Sequence, residues 1–319
     1  MKNFWEKVSK KKSILALAPM AGVSDSAFRQ MCKYYGADIV YTEMVSADGL
    51  YYDSKKTLEL LKFKRNERPV VIQLFGKNPD VFKKAAQVCE KHGFDGIDIN
   101  FGCPAKKVVA HGGGVTLMRD LGNCKKIIEA VVSGTKLPVS VKTRTSIKKV
   151  DGDERITVLD FITHMKDLPI SAIMVHARPH ENPFTADIDH KILKKVKERF
   201  NGVVLGNGGI NTPEDAKEMI DKTKVDGVGL ARGLYGKPWL FHQTKSYLKK
   251  GKYKKFEKKD VEKAIMRHAK IALKAKGDHG LIELRKHLLW YIAGWPGAKK
   301  MRGELVRVEK IGDIKKIFK

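Results

Sequence analysis

Residues 97–104 read Ile97-Asp98-Ile99-Asn100-Phe101-Gly102-Cys103-Pro104, and a glycine-rich run, His111-Gly112-Gly113-Gly114, follows shortly after. An apolar strand enters Asn100 and then breaks at a glycine, a cysteine and a proline. Gly102 permits close approach of another backbone or of a flat ligand. Pro104 stops the strand. Cys103 is left at the carboxyl end of a strand, and in an α/β barrel that end is where chemistry is done.

Working outward, strand-like and helix-like segments alternate over most of the chain. The expected strands are Ile14–Ala18, Ile39–Glu43, Val70–Phe75, Gly96–Asn100, Val139–Arg144, Ala172–His176, Val203–Asn207 and Gly227–Ala231. Amphipathic stretches such as Pro79–His92, Asn123–Ser133 and Pro213–Lys222 lie between them. Asn78 before Pro79 and Thr212 before Pro213 read as helix starts, with a cap residue ahead of a first-turn proline. Eight such units with largely apolar strands predict a closed parallel (β/α)8 barrel, a TIM barrel. From Tyr247 onward the pattern changes. Lys249 to Lys259 reads as a lysine-rich linker, and Asp260 to Lys319 as basic helices with Trp290, Tyr291 and Trp295 interleaved. The expected division is therefore a barrel over residues 1–250 and a small, basic, all-helical domain over residues 251–319. Most of those aromatics read as helical core. Arg285, Lys286, Lys299, Lys300 and Arg302 are the candidates for phosphate contact.

Composition narrows the function. The 319 residues carry 63 Lys and Arg against 36 Asp and Glu, a net charge of +27. A small-molecule enzyme gains nothing from that much self-repulsion, whereas nucleic acid rewards it through counterion release. A lysine-rich surface of general origin is the competing explanation. No apolar run reaches the roughly 20 residues that span a membrane. The charged amino-terminal stretch is not followed by a signal-peptide core, so a cytoplasmic location is expected. The cysteines Cys32, Cys89, Cys103 and Cys124 form no C-x-x-C pair, which argues against a metal site or a disulfide framework. Cys32 and Cys89 read as core residues on helices.

The strand ends carry unusual residues. In order they are Pro19 and Met20, Glu43 and Met44, Gln73, Asn100 and Cys103, Lys142 and Arg144, His176 and Arg178, Asn207-Gly208-Gly209, then Ala231-Arg232-Gly233. The last two turns follow the seventh and eighth strands, the usual phosphate site of such barrels. Lys142, among apolar strand neighbours, needs an anionic partner to offset its desolvation. Either the electron-rich edge of a reduced flavin or a substrate phosphate would serve. Gln73, Asn100 and His176 can hydrogen-bond a planar polar ring. Cys103 reads as structural, as a nucleophile or as a proton donor. A nucleophile needs a base beside it, and only His111 is near in sequence, while a neutral thiol acting as general acid needs none.

These segments resemble the tRNA-dihydrouridine synthases, most of all the bacterial B-type branch. The resemblance rests on Leu17-Ala18-Pro19-Met20-Ala21-Gly22-Val23-Ser24-Asp25, Thr42-Glu43-Met44-Val45, Gln73-Leu74-Phe75-Gly76, the stretch from Asp98 to Pro104, Val141-Lys142-Thr143-Arg144, Val175-His176-Ala177-Arg178 and Asn207-Gly208-Gly209-Ile210. Arg285-Lys286-His287-Leu288 and Gly294-Trp295-Pro296-Gly297 extend it to the carboxyl-terminal region. It implies a flavin-binding TIM barrel followed by a helical tRNA-binding domain, with FMN, reduced by NADPH, saturating the C5–C6 bond of uridine in tRNA. Carried onto this chain, it implies Cys103 as proton donor to C5. Pro19, Met20, Gln73, Lys142, His176, Asn207, Gly208, Gly209, Ala231 and Arg232 would contact FMN, and Asn100, Arg144 and Arg178 the substrate. Gly209 and Ala231 depart from the residues common there, and the segment after Arg178 lacks a second arginine often found in the family. No metal is implied, and a monomer suffices. Two other readings stand beside it: an FMN-dependent, dihydroorotate-type oxidoreductase of a small molecule, and a non-catalytic RNA-binding barrel.

Overall fold

A computed structural model describes residues 3–318. Among the described residues ten strands occur in chain order: β1 (Ile14–Leu17), β2 (Ile39–Ser46), β3 (Val70–Phe75), β4 (Gly96–Phe101), β5 (Val139–Arg144), β6 (Ser146–Lys148), β7 (Arg155–Thr157), β8 (Ile170–His176), β9 (Val203–Asn207) and β10 (Gly227–Leu230). Eight of them close a parallel barrel in the order β1-β10-β9-β8-β5-β4-β3-β2. The expected strands are all present, differing by a few residues at their ends. The unexpected element is the antiparallel pair β6 and β7. It sits above the rim after β5, where Arg155 and Glu181 form an ion pair at 2.8 Å.

The alternation of side chains along each strand sorts residues into two layers. On β4, Ile97, Ile99 and Phe101 face outward into the large cluster between barrel and helices. Asp98 and Asn100, on the opposite face, point into the barrel. The lower interior is apolar and contains Ile14, Ala16, Ile39, Tyr41, Val71, Met174 and Leu205. Trp5 closes its floor from the helix Phe4–Ser9, fully buried, with its indole N–H donating to the Tyr41 hydroxyl at 3.3 Å. Gly96 makes room for this plug, since a Cβ there would come within 2.8 Å of the Trp5 ring.

The helix caps read from sequence are present. Asn78 accepts from the Asp80 N–H ahead of the helix Pro79–Lys91. Thr212 and Asp215 form a capping box ahead of the helix Pro213–Thr223. The helix Leu240–Lys250 runs into the start of the expected linker, because Leu240, Phe241 and Thr244 give it a face to bury and Gly251 ends it in the left-handed region. Residues 251–257 are irregular. Four helices then follow, Lys258–Lys276, Asp278–Tyr291, Ala298–Leu305 and Ile311–Ile317. Their apolar faces share a core with Ala27 and Met31 of the first barrel helix, Ser26–Tyr34. Among the described residues no helix is long and apolar enough to cross a membrane.

Next to that helix lies a buried ion pair. Arg29 and Glu67 are 3 and 0 % exposed and meet at 2.6 Å. Arg29 also donates to the carbonyls of Ser24 and Lys62, and Glu67 accepts from Ser26 Oγ and the Lys64 N–H. The pair ties the β1 loop to the turn before β3. Removing one partner strands a buried charge. Glu67→Ala is therefore expected to cost about 3–5 kcal/mol in denaturant unfolding. A loss comparable to that of an exposed pair would contradict this account.

Candidate active site

Asn100 governs the loop that carries Cys103. Its Oδ1 accepts from the N–H groups of Gly102 at 3.0 Å and Cys103 at 2.8 Å. Its Nδ2 donates to Gln73 Oε1 at 2.9 Å and to the Met44 sulfur at 3.0 Å. The chain therefore turns sharply off β4, as an Asx-type bond dictates. From the other side, the Cys103 carbonyl accepts from the Val115 N–H at 3.1 Å, so the glycine-rich run folds back over the cysteine. Cys103 is partly exposed, whereas Cys32, Cys89 and Cys124 are buried. Two cationic groups, Lys142 and Arg144, interact with it electrostatically. His111 is exposed at the end of the helix Lys106–Ala110, and among the described residues no base is hydrogen-bonded to the Cys103 sulfur.

Below this loop, Asp98 is fully buried. It accepts from Gln73 Nε2 and from Ser140 Oγ, both at 2.6 Å. Burial pushes its carboxyl up to about 6 against the pull of those two bonds and of Lys142. Asp98 is a residue whose importance the sequence reading missed. The signal available was an acid at an inward position of an otherwise apolar strand.

On the opposite side of the mouth the rim is crowded with cations. Lys142 Nζ donates to Asn207 Oδ1 at 3.3 Å, and Asn207 Nδ2 in turn donates to the Gly229 carbonyl at 2.7 Å. Burial and the neighbouring Arg144 bring the Lys142 ammonium down to about 8. Burial, then Lys142, Arg144, Arg178 and Arg232, hold the His176 imidazole down to about 2, so it is neutral at any working pH. A cleft of about 370 Å³ opens at the ends of β8, β9 and β10, lined by His176, Arg178, Asn207, Gly208, Gly209 and Arg232 among others. Gly208 has φ +106°, and a Cβ there would come to 2.6 Å from His176 Cδ2. Only glycine leaves the backbone exposed to an occupant at that point. Phe184 covers the outer edge, with the Arg232 guanidinium 4.8 Å from its ring centre. Positive charge converging on an open cleft with glycine-bared backbone is a setting for an anion.

The fold thus brings Gln73, Asn100, Cys103, Lys142, Arg144, His176, Arg178, Asn207, Gly208, Gly209, Ala231 and Arg232 to one rim. Pro19 and Met20 lie there too, in the loop after β1, where Ser24 Oγ hydrogen-bonds both the N–H and the carbonyl of Met20. Several of these side chains are already engaged. Asn100 has no donor or acceptor left over. Arg144, 4 % exposed, donates to the carbonyls of Gly102 and Pro179, and Arg178 Nε to that of Ala186. In the carboxyl-terminal helices, Arg285 Nε donates to the Val308 carbonyl at 2.8 Å, so it serves the helical core. Lys299, Lys300 and Arg302 are exposed on one short helix, Ala298–Leu305. Among the described residues no three His, Cys, Asp or Glu side chains converge as a metal site.

Comparison with known proteins bears on this arrangement. The family model for dihydrouridine synthase (Dus) matches residues 16–318. The chain is 34% identical over 297 residues to tRNA-dihydrouridine synthase B of Pseudomonas aeruginosa, covering 92% of this chain and 88% of that protein. It is 32% identical over 283 residues to tRNA-dihydrouridine synthase B of Shewanella oneidensis, covering 88% and 87%. Among solved structures, histamine dehydrogenase from Rhizobium sp. 4-9 superposes with a TM-score of 0.54 at 13% identity, over 81% of this chain and 48% of that one. The structure of TcOYE with pHBA superposes with a TM-score of 0.54 at 12% identity, over 77% and 91%. At such identities the two structures share the barrel fold alone. From its first barrel strand to its last helix, the chain belongs to the dihydrouridine synthase (Dus) family, in the branch of the B-type tRNA-dihydrouridine synthases.

Proposed function

We propose that this protein reduces the C5–C6 double bond of uridine in tRNA, using FMN that is re-reduced by NADPH in the cytoplasm. The observation that carries the reading is the pairing of a partly exposed Cys103 with a cation-lined, glycine-bared cleft across one barrel mouth. The cleft residues fit a flavin mononucleotide. Gly208, Gly209, Ala231 and Arg232 would receive its phosphate at the ends of β9 and β10. Lys142 would face the electron-rich edge of the ring, and Gln73, His176 and Asn207 its polar atoms, with Pro19 and Met20 against its face. When bound, such a group supplies a hydride to C6 of the base.

The remaining chemistry belongs to side chains. As a hydride arrives at C6, the C5–C6 π electrons move onto C5 and toward the C4 carbonyl. Cys103 Sγ then releases its proton to C5, completing addition of two hydrogens across the bond. The resulting thiolate is reprotonated from solvent. Arg178, partly exposed at the cleft, would orient the base and the adjoining phosphates, while Arg144 braces the Gly102 and Pro179 carbonyls beside Cys103. A uridine reaching this mouth must leave its stack. That cost is offset by phosphate contacts elsewhere on a +27 protein, among them the exposed Lys299, Lys300 and Arg302.

Four outcomes test this reading. Nucleosides from unmodified tRNA incubated with the protein, FMN and NADPH should gain two hydrogens at uridine by mass spectrometry. Cys103→Ala should lower that rate roughly 100- to 10,000-fold, the range of general-acid catalysis, while FMN still binds and is still bleached by NADPH. Full turnover by the variant would remove Cys103 from the mechanism.

FMN affinity should weaken above pH of about 8, where Lys142 loses its proton. The acceptor edge of the ring takes a hydrogen bond from the ammonium form, so binding and protonation favour each other. Titration of FMN into the cofactor-free protein should show this decline in the wild type and lose it in Lys142→Met. A wild-type profile that is flat across pH 8 would refute the assigned contact.

Finally, replacing Lys299, Lys300 and Arg302 by alanine should weaken tRNA binding. It should also lower the slope of log affinity against log salt by about one per lost phosphate contact. An unchanged slope would exclude that helix from the interface.

A further inference from the structure

An unbroken line of side-chain hydrogen bonds runs from the interior of the barrel to the backbone of Cys103. Ser140 Oγ and Gln73 Nε2 both donate to Asp98. Gln73 Oε1 accepts from Asn100 Nδ2. Asn100 Oδ1 accepts from the Gly102 and Cys103 N–H groups. Asp98, Gln73, Ser140 and Asn100 are 0, 1, 1 and 5 % exposed, so each link is shielded from water and a missing partner is costly.

The line has a direction. Amide oxygen and nitrogen have nearly the same shape, so packing does not decide which way Gln73 and Asn100 face. The ends decide. Backbone N–H groups can only donate, which turns the Asn100 oxygen toward Cys103 and its NH2 toward Gln73. The Gln73 oxygen must then face Asn100 and its NH2 must face position 98. That position requires an acceptor, and an ionised carboxylate is an acceptor only.

We propose that Asp98 is a positioning residue for Cys103: by accepting from Gln73 it sets the orientation of two buried amides, and through them the paired N–H bonds that fix the cysteine loop. The proposal rests on the reading of Cys103 as proton donor for its functional meaning. The arrangement itself exists before any cofactor or substrate binds.

The test reverses the line. In Asn100→Asp, position 100 still accepts from the loop but presents a second acceptor to Gln73. Gln73 must turn its NH2 toward it, which leaves two oxygens facing each other at Asp98. Adding Asp98→Asn supplies a donor at position 98, so the whole line runs in the opposite direction with every link made. Asp98→Asn alone also keeps every link, because its oxygen accepts from Gln73 and its NH2 donates to Ser140. Asp98→Leu keeps the approximate volume and loses the acceptor.

The readout is alkylation of Cys103 by iodoacetamide in the full-length protein, followed by peptide mass spectrometry. The pH-independent rate constant of the thiolate is compared, so that an altered thiol acidity does not enter. Asp98→Leu and Asn100→Asp should each change that constant about fivefold or more, the equivalent of one buried hydrogen bond. The double variant Asn100→Asp with Asp98→Asn, and Asp98→Asn alone, should return to within about twofold of wild type. Melting temperatures of all four report whether a change reflects general unfolding. The proposal is overturned if Asn100→Asp labels like wild type, or if the double variant labels no closer to wild type than Asn100→Asp does. In parallel, kcat for dihydrouridine formation by Asp98→Leu and Asp98→Asn should follow their labelling order, with KM for tRNA unchanged. If the wild type forms no dihydrouridine, the functional reading fails, while the labelling still decides the role of Asp98.

Discussion

A carboxylate with no exposed surface sits in the middle of this barrel, and the arrangement of the mouth follows from the need to satisfy it. Inward positions of a parallel barrel are remote from water, so a polar group there must find partners among its neighbours on adjacent strands. Parallel register supplies them. Gln73 lies beside Asp98 in the pairing of β3 with β4, and Ser140 beside Asp98 in that of β4 with β5. The same register sets Asn100 beside Lys142 one layer higher. The barrel interior therefore changes from apolar at the Trp5 floor to hydrogen-bonded at Asp98 and to charged at the mouth. The chemistry is confined to the one end where the loops are long enough to hold an occupant.

The mouth itself is electrostatically one-sided. Lys142, Arg144, Arg178 and Arg232 share a rim with few acids; burial first, and then these neighbouring cations, bring the Lys142 ammonium down to about 8 and hold the His176 imidazole neutral. A free protein bears that repulsion because the fold is anchored elsewhere, through the outer core and through buried pairs such as Arg29 with Glu67. Fixed cations pre-arranged around an open cleft cost little to reorganise when negative charge arrives, which is the preorganisation that catalysis exploits. The proposed roles of these residues follow from this asymmetry.

The carboxyl-terminal helices bury their aromatic residues and expose lysine. Tyr291 is buried, and Trp290 stacks on Tyr235 at 4.0 Å. Arg285 holds the chain end through the Val308 carbonyl. What remains outside is a surface of separate cations joined to the barrel through the helix that follows β1, so any RNA held there is held in a defined relation to the barrel mouth. The buried pair Arg29 and Glu67 secures that same helix, which links the stability of the fold to the geometry of the interface.

Sequence alone determined the barrel. Apolar runs of strand length separated by capped amphipathic helices admit few other closures. It also determined the strand-end residues that share the mouth, because all parallel strands of a barrel end on one face. The basic helical region was legible from composition. Only the tertiary structure decided which of those residues are free and which are already engaged. Asn100, Arg144 and Arg285 carry the chemistry of binding groups, yet each is committed to a partner distant in sequence, Asn100 to the Gln73 side chain and the two arginines to backbone carbonyls. The hairpin β6–β7, the Trp5 plug and the importance of Asp98 depended likewise on contacts across strands and layers. Hydrogen bonding is set by distances of an ångström or less between groups that the chain brings together only after it has closed. Hydrophobic periodicity is written locally, and satisfaction of polar groups is not.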